Sequence, residues 1–425
     1  MLNGQGLILS APASGSGKTT LTLGILRALS RRHENIRSAK SGPDYIDPRF
    51  HAAASGRACL NLDAWAMTPA RLADLASGPG TLMIEGAMGL FDGAPPDGRG
   101  ATADLARHLG LPVVLILDCA RQSHSMAAVV EGFAAHRSDV KICGLILNNT
   151  GSERHEAMLH HALSPLGLPV LGAIRRMPGL AHPSRHLGLV QADERPDLQV
   201  FLDRVADTVE AAVDLDALLA LARPLPAANQ APGLPPPAQR ISIARDAAFA
   251  FAYPHLMADW RSAGAEISEF SPLADQVPPS ADMVFLPGGY PELHAGRLAG
   301  NRTFLNGLRQ MARDTPIYGE CGGYMVLGEG LVDRDGQRHQ MAGLLRLETS
   351  FQAPKLHLGY RRLTALGPPW QGQLAAHEFH YASTIRAKGE PLFQAQNAEG
   401  ENLPAMGLQQ GRVSGSFAHI IDAAR

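Results

Sequence analysis

The sequence predicts a two-domain α/β protein, and three observations support this prediction. The chain has 425 residues, well above the ~150 residues of a typical single domain. Short β-rich runs alternate with helical stretches in both halves of the chain. Between the halves, residues 223–239 are rich in proline, which fixes φ and removes backbone donors, so we expect a semi-extended linker there. The predicted domains are therefore residues 1–222 and 240–425.

The first half is expected to form a mostly parallel sheet covered by helices. A strand at Leu7–Ser10 leads into a glycine-containing loop and a helix at Lys18–Arg31. Further strands are predicted at Thr81–Ile84, Val113–Leu117 and Ile142–Leu147. Helical stretches between these strands supply the crossovers that parallel pairing requires.

The second half repeats the α/β pattern and then changes character. Buried strands are predicted at Ile241–Ala244, Met283–Leu286 and Pro316–Tyr318. From about Gly343 onward the sequence is richer in β-forming residues than in helical periodicity.

Charge and cysteine content narrow the class of protein. Lys and Arg number 38 against 40 Asp and Glu, a net charge of −2, so the composition gives no electrostatic reason to expect nucleic acid. The four cysteines form no CxxC pair, which argues against a disulfide scaffold or a zinc ribbon. The N-terminus lacks a basic signal-peptide region, and no apolar run approaches the ~20 residues of a membrane span. We expect a soluble cytoplasmic protein without nucleic-acid or membrane partners.

A phosphate-binding loop is predicted between the first strand and the first helix. The segment Ser14-Gly-Ser-Gly-Lys-Thr-Thr20 places backbone N–H groups and a helix N-terminus around a polyphosphate. Lys18 would contact the β- and γ-phosphates, and the Thr19 hydroxyl would ligate Mg²⁺. The first glycine of the usual GxxxxGK[ST] pattern is replaced by Pro12. The expected nucleotide-binding residues are Ser14, Gly15, Ser16, Gly17, Lys18, Thr19 and Thr20.

Acidic residues downstream supply candidate metal and substrate contacts. Glu85 ends a predicted strand, where α/β sheets bind ligands, and is expected to hold Mg²⁺ directly or through water. Asp44 and Asp47 lie three residues apart in a Gly/Pro-constrained turn. One interpretation is a capped turn with no further role. The other is that the two carboxylates share a metal, position a phosphoryl group or contact substrate. The predicted metal set is Thr19, Glu85 and Asp44. Asp92 is expected in an exposed glycine-rich loop.

A cysteine in the second half has the setting of a nucleophile. Gly319-Glu-Cys321-Gly-Gly323 matches a strand-to-helix elbow with Cys in place of Ser. The helix N-terminus is expected to lower the thiol pKa, and the N–H groups of Gly322 and Gly289 are the candidate oxyanion hole. The alternative is a buried apolar cysteine, which is the interpretation given to Cys59, Cys119 and Cys143.

Three histidines are candidate bases for this cysteine. His377 and His380 lie in a β-rich segment with three-residue spacing, so they point to opposite faces and are not expected to share a metal. His419 lies near the C-terminus after a tight turn. The residues alone do not choose among them.

In combination, these motifs resemble the cobyrinic acid a,c-diamide synthase family, including its hydrogenobyrinic acid-using members. The resemblance covers nearly the whole chain. The matching strings are Ser14–Thr20, Lys40–His51, Cys59–Trp65, Glu85–Gly93, Pro183–Leu189, Gly288–Glu292, Glu320–Gly323 and His377–Tyr381. The resemblance implies a dethiobiotin synthetase-like ATP domain followed by a class I glutamine amidotransferase-like domain.

The resemblance also implies a reaction and assigns roles. ATP phosphorylates the c and a carboxylates of a corrin in turn, and ammonia released from glutamine attacks each acyl phosphate. Cys321 matches the nucleophile and His419 the histidine that activates it. Asp44, Asp47, Glu85 and Asp92 match positions tied to Mg-ATP and substrate. Most class I amidotransferases carry Glu two residues after this histidine, whereas this chain has Ile421, which favours a catalytic dyad.

Several alternatives stay open on the sequence. The high Ala, Gly, Pro and Arg content, typical of a GC-rich genome, favours hydrogenobyrinic acid over cobalt-containing cobyrinic acid. Other tetrapyrrole amide ligases, such as cobyric acid synthase, are a second alternative. A non-catalytic P-loop ATPase with a degenerate amidotransferase module is a third. The expected partners are ATP, L-glutamine and a corrin polycarboxylate, with a homodimer left open.

Overall fold

The computed structural model describes residues 4–177, 184–185, 188–189, 191–228 and 230–424. The chain forms two compact units, Met1–Ala231 and Pro232–Arg425. Of the string Pro183–Leu189, Pro183, His186 and Leu187 lie outside the described residues. No described helix combines the length and the apolar character that crossing a bilayer requires.

The first unit is a parallel sheet with helices between its strands. Its strands are β1 (Gln5–Ser10), β2 (Ile36–Ser41), β3 (Cys59–Leu62), β4 (Thr81–Glu85), β5 (Val113–Asp118), β6 (Ile142–Thr150), β7 (Val170–Arg175), β8 (Ser184–Arg185), β9 (Gly188–Leu189) and β10 (Arg223–Pro224). Its helices are α1 (Lys18–Arg31), α2 (Asp47–Ser55), α3 (Pro69–Ala76), α4 (Thr102–Leu109), α5 (Met126–His136), α6 (Glu153–Leu163), α7 (Leu198–Ala212) and α8 (Leu215–Ala220).

The sheet order brings the carboxyl ends of β1, β2 and β4 together. The order is β3-β2-β4-β1-β5-β6-β7, and each neighbouring pair is parallel. The predicted parallel sheet and the predicted helix Lys18–Arg31 are therefore confirmed. Because β1 has β4 on one side and β5 on the other, the chain reverses its winding direction there, and such points bind ligands in α/β sheets.

The first residues of the predicted linker belong to the first sheet. Arg223 and Pro224 pair antiparallel with Gly6 and Gln5 of β1, and Leu225 donates its N–H to the carbonyl of Gly4. The predicted semi-extended linker, residues 223–239, therefore begins with residues that pair with the first sheet. A proline is tolerated in so short a strand at the border of a sheet.

The second unit combines a mostly parallel sheet with two smaller sheets. Its strands are β11 (Arg240–Ala244), β12 (Glu266–Phe270), β13 (Met283–Leu286), β14 (Ile317–Glu320), β15 (Gly330–Val332), β16 (Arg338–Gln340), β17 (Arg346–Ser350), β18 (His357–Ala365), β19 (Gln373–His380), β20 (Ser383–Lys388), β21 (Phe393–Gln396), β22 (Asn402–Met406), β23 (Leu408–Gln410), β24 (Val413–Ser416) and β25 (Ala418–Ala423). Its helices are α9 (Pro254–Ser262), α10 (Ala295–Gly300), α11 (Arg302–Met311) and α12 (Gly322–Leu327).

The main sheet of this unit has the order β12-β11-β13-β14-β24-β23. Its pairs are parallel from β12 to β24, and β23 is antiparallel to β24. An antiparallel sheet has the order β22-β21-β18-β19-β25, and a four-stranded sheet has the order β16-β15-β17-β20. The predicted α/β pattern and the β-rich C-terminal segment are confirmed.

Candidate functional site

The predicted phosphate loop connects β1 to α1 with its main chain partly exposed. Gly15 and Gly17 have φ of 80° and 86°, a left-handed conformation that glycine adopts without strain. Ser14 and Gly15 are exposed, whereas Ser16 and Lys18 are buried. Lys18 Nζ donates to the main-chain oxygens of Met88 at 2.6 Å and Ala13 at 3.3 Å. Burial lowers the pKa of Lys18.

Asn148, at the carboxyl end of β6, supports this loop and was not predicted. Its Nδ2 donates to the Ser16 oxygen at 2.9 Å. A Cβ added to Gly17 would lie 2.3 Å from the same Nδ2, so only glycine fits against the amide. The available sequence signal was a polar residue directly after the apolar run Ile142–Leu147.

A cluster of buried charges lies where β2 and β4 end. Glu85 Oε1 accepts hydrogen bonds from Thr19 Oγ1 at 2.6 Å and from Lys40 Nζ at 2.7 Å. Lys40 Nζ also donates to Asp47 Oδ2 at 2.7 Å. His51 Nε2 lies 2.5 Å from Glu85 Oε2. We call Lys40, Asp47, His51 and Glu85 the charged cluster. Sequence reasoning gave Lys40 and His51 no individual role.

Mutual attraction keeps Lys40, His51 and Glu85 ionised despite their burial. Burial opposes the charge on Glu85, but Lys40 and His51 outweigh it and hold the pKa of Glu85 well below its usual range. Burial likewise opposes the charge on Lys40, and Asp47 and Glu85 raise its pKa above the usual range. For His51, burial is outweighed by the Cys59 sulfur, 3.5 Å from Nδ1, and by Glu85, which raise the pKa to about 10. Buried charges persist in proteins when they are paired in this way.

The other predicted acidic residues differ in their contacts. Asp44 Oδ1 accepts from the N–H groups of Ile46 at 2.7 Å and Asp47 at 3.1 Å, and so holds the turn that begins α2. Burial, followed by the charge of Asp47, raises the pKa of Asp44 to about 7. Asp92 is exposed, and its Oδ2 accepts from the N–H of Gly89 at 2.9 Å.

The residues around Thr19 suit a magnesium ion. Thr19 Oγ1 lies 2.6 Å from Glu85 Oε1 and 3.4 Å from Asp47 Oδ2, and Mg²⁺ prefers such hydroxyl and carboxylate oxygens. The predicted set contained Asp44 in place of Asp47. In the structure Asp47 approaches the Thr19 hydroxyl, whereas Asp44 accepts main-chain hydrogen bonds.

Cys321 lies at the strand-to-helix turn between β14 and α12. Its φ of 46° and ψ of −104° are strained for a non-glycine residue. Tight packing of the neighbouring glycines shapes this turn. A Cβ on Gly323 would lie 2.0 Å from the Leu286 oxygen, and one on Gly322 would lie 3.0 Å from Gly289 N. Gly289 and Gly322, the two residues predicted to form an oxyanion hole, are therefore adjacent.

The structure brings His419 next to Cys321. A Cβ added to Gly288 would lie 2.3 Å from His419 Cε1 and 3.2 Å from Cys321 Cβ, so both side chains border the same glycine. His419 belongs to β25 and is fully buried. Burial, with smaller contributions from the charges of His377 and His380, lowers the pKa of His419 to about 3.

The expectation that the helix N-terminus lowers the Cys321 pKa is wrong. Burial, followed by the charge of Glu292, raises the pKa of the Cys321 thiol above its usual range. The N–H of Gly322 acts in the lowering direction, but α12 spans only six residues and does not compensate for desolvation. The thiol and the His419 imidazole are therefore both neutral near pH 7.

His377 and His380 occupy different registers of β19. His377 pairs with His419 of β25, and His380 pairs with His357 of β18. His357, Glu378 and His380 offer three ligand atoms within 4.8 Å of one another. However, Glu378 forms an ion pair with Arg361 at 2.7 Å and a hydrogen bond with His380 Nε2 at 3.0 Å. The carboxylate of this group is therefore already paired with a cation.

Comparisons with known proteins agree with this geometry in both units. The family described as CobQ/CobB/MinD/ParA nucleotide binding domain matches residues 7–190. The family described as CobB/CobQ-like glutamine amidotransferase domain matches residues 240–425. The fold and these matches define a glutamine amidotransferase joined in one chain to a nucleotide-binding domain.

Relatives that align over nearly the full length identify the family within this class of protein. Proteins named hydrogenobyrinate a,c-diamide synthase from Brucella anthropi, Rhizobium meliloti and Rhodobacter capsulatus are 57%, 53% and 52% identical to this chain. Each alignment covers 98% of this chain, and 98%, 99% and 98% of the respective relative. The chain belongs to the hydrogenobyrinate a,c-diamide synthase family, and the resemblance stated from its motifs is confirmed.

Proposed function

We propose that this chain converts the a and c carboxylates of hydrogenobyrinic acid to amides, using ATP and glutamine, in cobalamin biosynthesis. The observation that carries the proposal is the 57% identity to a protein of that name over 98% of both chains. The names of the relatives favour the metal-free corrin over cobyrinic acid. The proposed compartment is the cytoplasm, where four free cysteines stay reduced.

The first unit activates the corrin carboxylate. A carboxylate oxygen attacks the γ-phosphorus of ATP, ADP leaves, and an acyl phosphate forms. The N–H groups of Ser14–Thr20 bind the phosphates, and Lys18 moves from its main-chain acceptors to the β- and γ-phosphate oxygens. Thr19 and Glu85, with Asp47 or Asp44 nearby, would hold magnesium, which would supply positive charge to the phosphates when bound. Asp44, Asp47 and Asp92 are proposed to handle substrate and phosphoryl group.

The second unit releases ammonia from glutamine. Cys321 Sγ attacks the side-chain amide carbon while its proton passes to His419, which returns a proton to the departing ammonia. The N–H groups of Gly289 and Gly322 stabilise the oxyanion. Water then hydrolyses the glutamyl thioester to glutamate. The low pKa of His419 suits this role, because the imidazole is neutral and able to accept a proton at pH 7. Ammonia attacks the acyl phosphate, and inorganic phosphate leaves.

A paired incubation tests the substrate. The chain is given ATP, Mg²⁺ and glutamine with hydrogenobyrinic acid in one tube and cobyrinic acid in the other, and mass spectrometry counts the amides formed. Two amidations on the metal-free corrin are expected, with little turnover of the cobalt corrin. Turnover of the cobalt corrin alone would move the assignment to cobyrinic acid, and turnover of neither would contradict the proposed substrate class.

A further inference from the structure

The position where most class I amidotransferases carry a carboxylate is apolar in this chain. Ile421 lies two residues after His419, and its side chain is fully buried. Its main-chain oxygen interacts with His255 Nε2 at 2.8 Å. No carboxylate can reach the imidazole from this position, so a carboxyl group that positions His419 would come from elsewhere in the fold.

Glu320 approaches His419 from a different strand. It is the last residue of β14, directly before Cys321, and only 3% of it is exposed. Its Oε2 lies 3.9 Å from His419 Nδ1. Hydrogen bonds of catalytic groups are often long before substrate binds and shorten in the reacting complex.

The carboxyl group of Glu320 is held by its other oxygen. Oε1 accepts from the N–H of Ile420 at 3.2 Å and from the Tyr318 hydroxyl at 3.3 Å. Ile420 follows His419 in β25, so the donor that orients the carboxyl belongs to the strand that carries the imidazole. This arrangement fixes Oε1 and directs Oε2 towards His419.

We propose that Glu320 is the positioning carboxyl of His419, since Ile421 supplies no carboxylate. The inference rests on the proposed Cys321–His419 glutaminase. An ionised Glu320 accepts a hydrogen bond from Nδ1–H, and the unprotonated Nε2 then takes the thiol proton. When the imidazolium forms, Glu320 stabilises its charge. A protonated Glu320 would instead donate to Nδ1 and leave the proton on Nε2, the wrong tautomer for a base.

The surroundings of Glu320 make this role dependent on pH. Burial raises the pKa of Glu320 to about 8, while the hydrogen bonds from Ile420 and Tyr318 act in the lowering direction. The titratable groups facing it are Tyr318 in β14, Cys321 at the turn and His419 in β25. The charges of Glu292 and Glu378 raise the pKa of Cys321. The charges of His377 and His380 lower the pKa of His419, and a main-chain hydrogen bond with Phe251 raises it. Glutaminase activity is therefore expected to rise with pH through Glu320 ionisation.

The test uses the full chain as wild type, Glu320→Gln, Glu320→Asp and Tyr318→Phe. Glutamate release is measured as kcat and KM between roughly pH 6 and 9.5, together with ammonia-dependent amidation. For Glu320→Gln we expect kcat to fall more than about a hundredfold, KM to stay within about threefold, and the alkaline rise to disappear. Ammonia-dependent amidation should persist. Glu320→Asp should recover part of kcat.

Tyr318→Phe is the matched control, because it removes one donor to Oε1 and leaves the carboxyl in place. We expect less than about a fivefold loss of kcat and an alkaline rise shifted to higher pH. A kcat within about threefold of wild type with an unchanged pH profile in Glu320→Gln would overturn the inference. Equal losses in all three variants with lowered unfolding midpoints would also overturn it, as a structural role. Glutaminase activity that survives Cys321→Ala would instead contradict the proposed function.

Discussion

Glu85 and Glu320 are both buried carboxyls at the carboxyl end of a parallel strand. Their neighbours favour the ionised form of Glu85 and the protonated form of Glu320. Glu85 contacts Lys40 and His51, and its pKa lies well below the usual range. Glu320 is hydrogen-bonded by neutral donors, a main-chain N–H and the Tyr318 hydroxyl, and its pKa is raised to about 8. Burial is common to both, so the partners decide the charge.

This difference matches the chemistry proposed for each unit. Phosphoryl transfer needs fixed charges before the reaction starts, because catalysis there consists largely of positioning and electrostatic stabilisation. Thiol attack needs a neutral base that gains charge only during the reaction. The charged cluster supplies the fixed charges that phosphoryl transfer needs. Cys321 and His419 supply the neutral thiol and neutral base that thiol attack needs.

The largest expected effect comes from removing the central cation of the charged cluster. Lys40→Met leaves Asp47 and Glu85 without the ammonium that bonds both at 2.7 Å. Breaking a buried ion pair in this way costs about 3–5 kcal/mol. Amidation with either nitrogen source should also be lost. Urea unfolding and amide formation are the measurements.

A second variant distinguishes lost charge pairing from lost packing. Lys40→Met combined with Glu85→Gln removes one of the two carboxylates left uncompensated, so part of the free energy of unfolding should return. A Lys40→Met protein within about 1 kcal/mol of wild type would show that the cluster does not depend on its charges.

The next largest expected effect comes from a steric clash in the second unit. Gly288→Ala places a Cβ 2.3 Å from His419 Cε1, so the imidazole has to leave its present position beside Cys321. Misplacement by about 1 Å can cost roughly a hundredfold in rate, and we expect a glutaminase loss of that size with ammonia-dependent amidation retained. Gly300→Ala, which would meet nothing within 4 Å, is the control. Equal activity of the two variants would contradict the position of His419.

Local sequence patterns predicted most of the fold, because they report on local structure. The helix Lys18–Arg31 and the strand Met283–Leu286 have the predicted bounds. The glycine loop and the Cys321 turn are local as well. The partners of Glu85 are not, since Lys40 and His51 are 45 and 34 residues away in the chain. The pairing of β2 with β4 places Lys40 opposite Glu85, and α2 carries His51 to the same carboxylate.

The electrostatics of the second unit could not be predicted for a related reason. A helix N-terminus is visible in the sequence, but the burial of Cys321 depends on how β13, β19 and β24 pack around it. Glu320 was visible next to Cys321, yet its approach to His419 depends on the position of β25. The contact of Asn148 with Ser16 could not be predicted either, because 132 residues separate the two in the chain.

The last expected effect is a pair of opposite pH dependences of the free energy of unfolding. The pKa of His51 is raised from 6.5 to about 10. Its contribution to the free energy of unfolding is therefore fully present below about pH 6.5 and is lost as the pH rises towards 10. The pKa of His419 is lowered to about 3, so the unfolded chain binds the extra proton and stability falls as the pH drops from about 6.5 towards 3.

Urea unfolding of wild type, His51→Gln and His419→Gln across this range separates the two. The stability advantage of wild type over His51→Gln should shrink with rising pH above about 6.5. Compared with His419→Gln, wild type should lose stability on acidification. The same pH dependence in both comparisons would contradict the assigned charge states.

The division of labour between the two units is tested most directly by crossing two variants with two nitrogen sources. Cys321→Ala and Lys18→Ala are each assayed for corrin amidation with glutamine or with ammonium, and for glutamate release. Cys321→Ala should lose glutamine-dependent amidation and keep ammonia-dependent amidation. Lys18→Ala should lose both while retaining some glutaminase activity. Loss of both amidation reactions in Cys321→Ala, or full amidation in Lys18→Ala, would contradict the account.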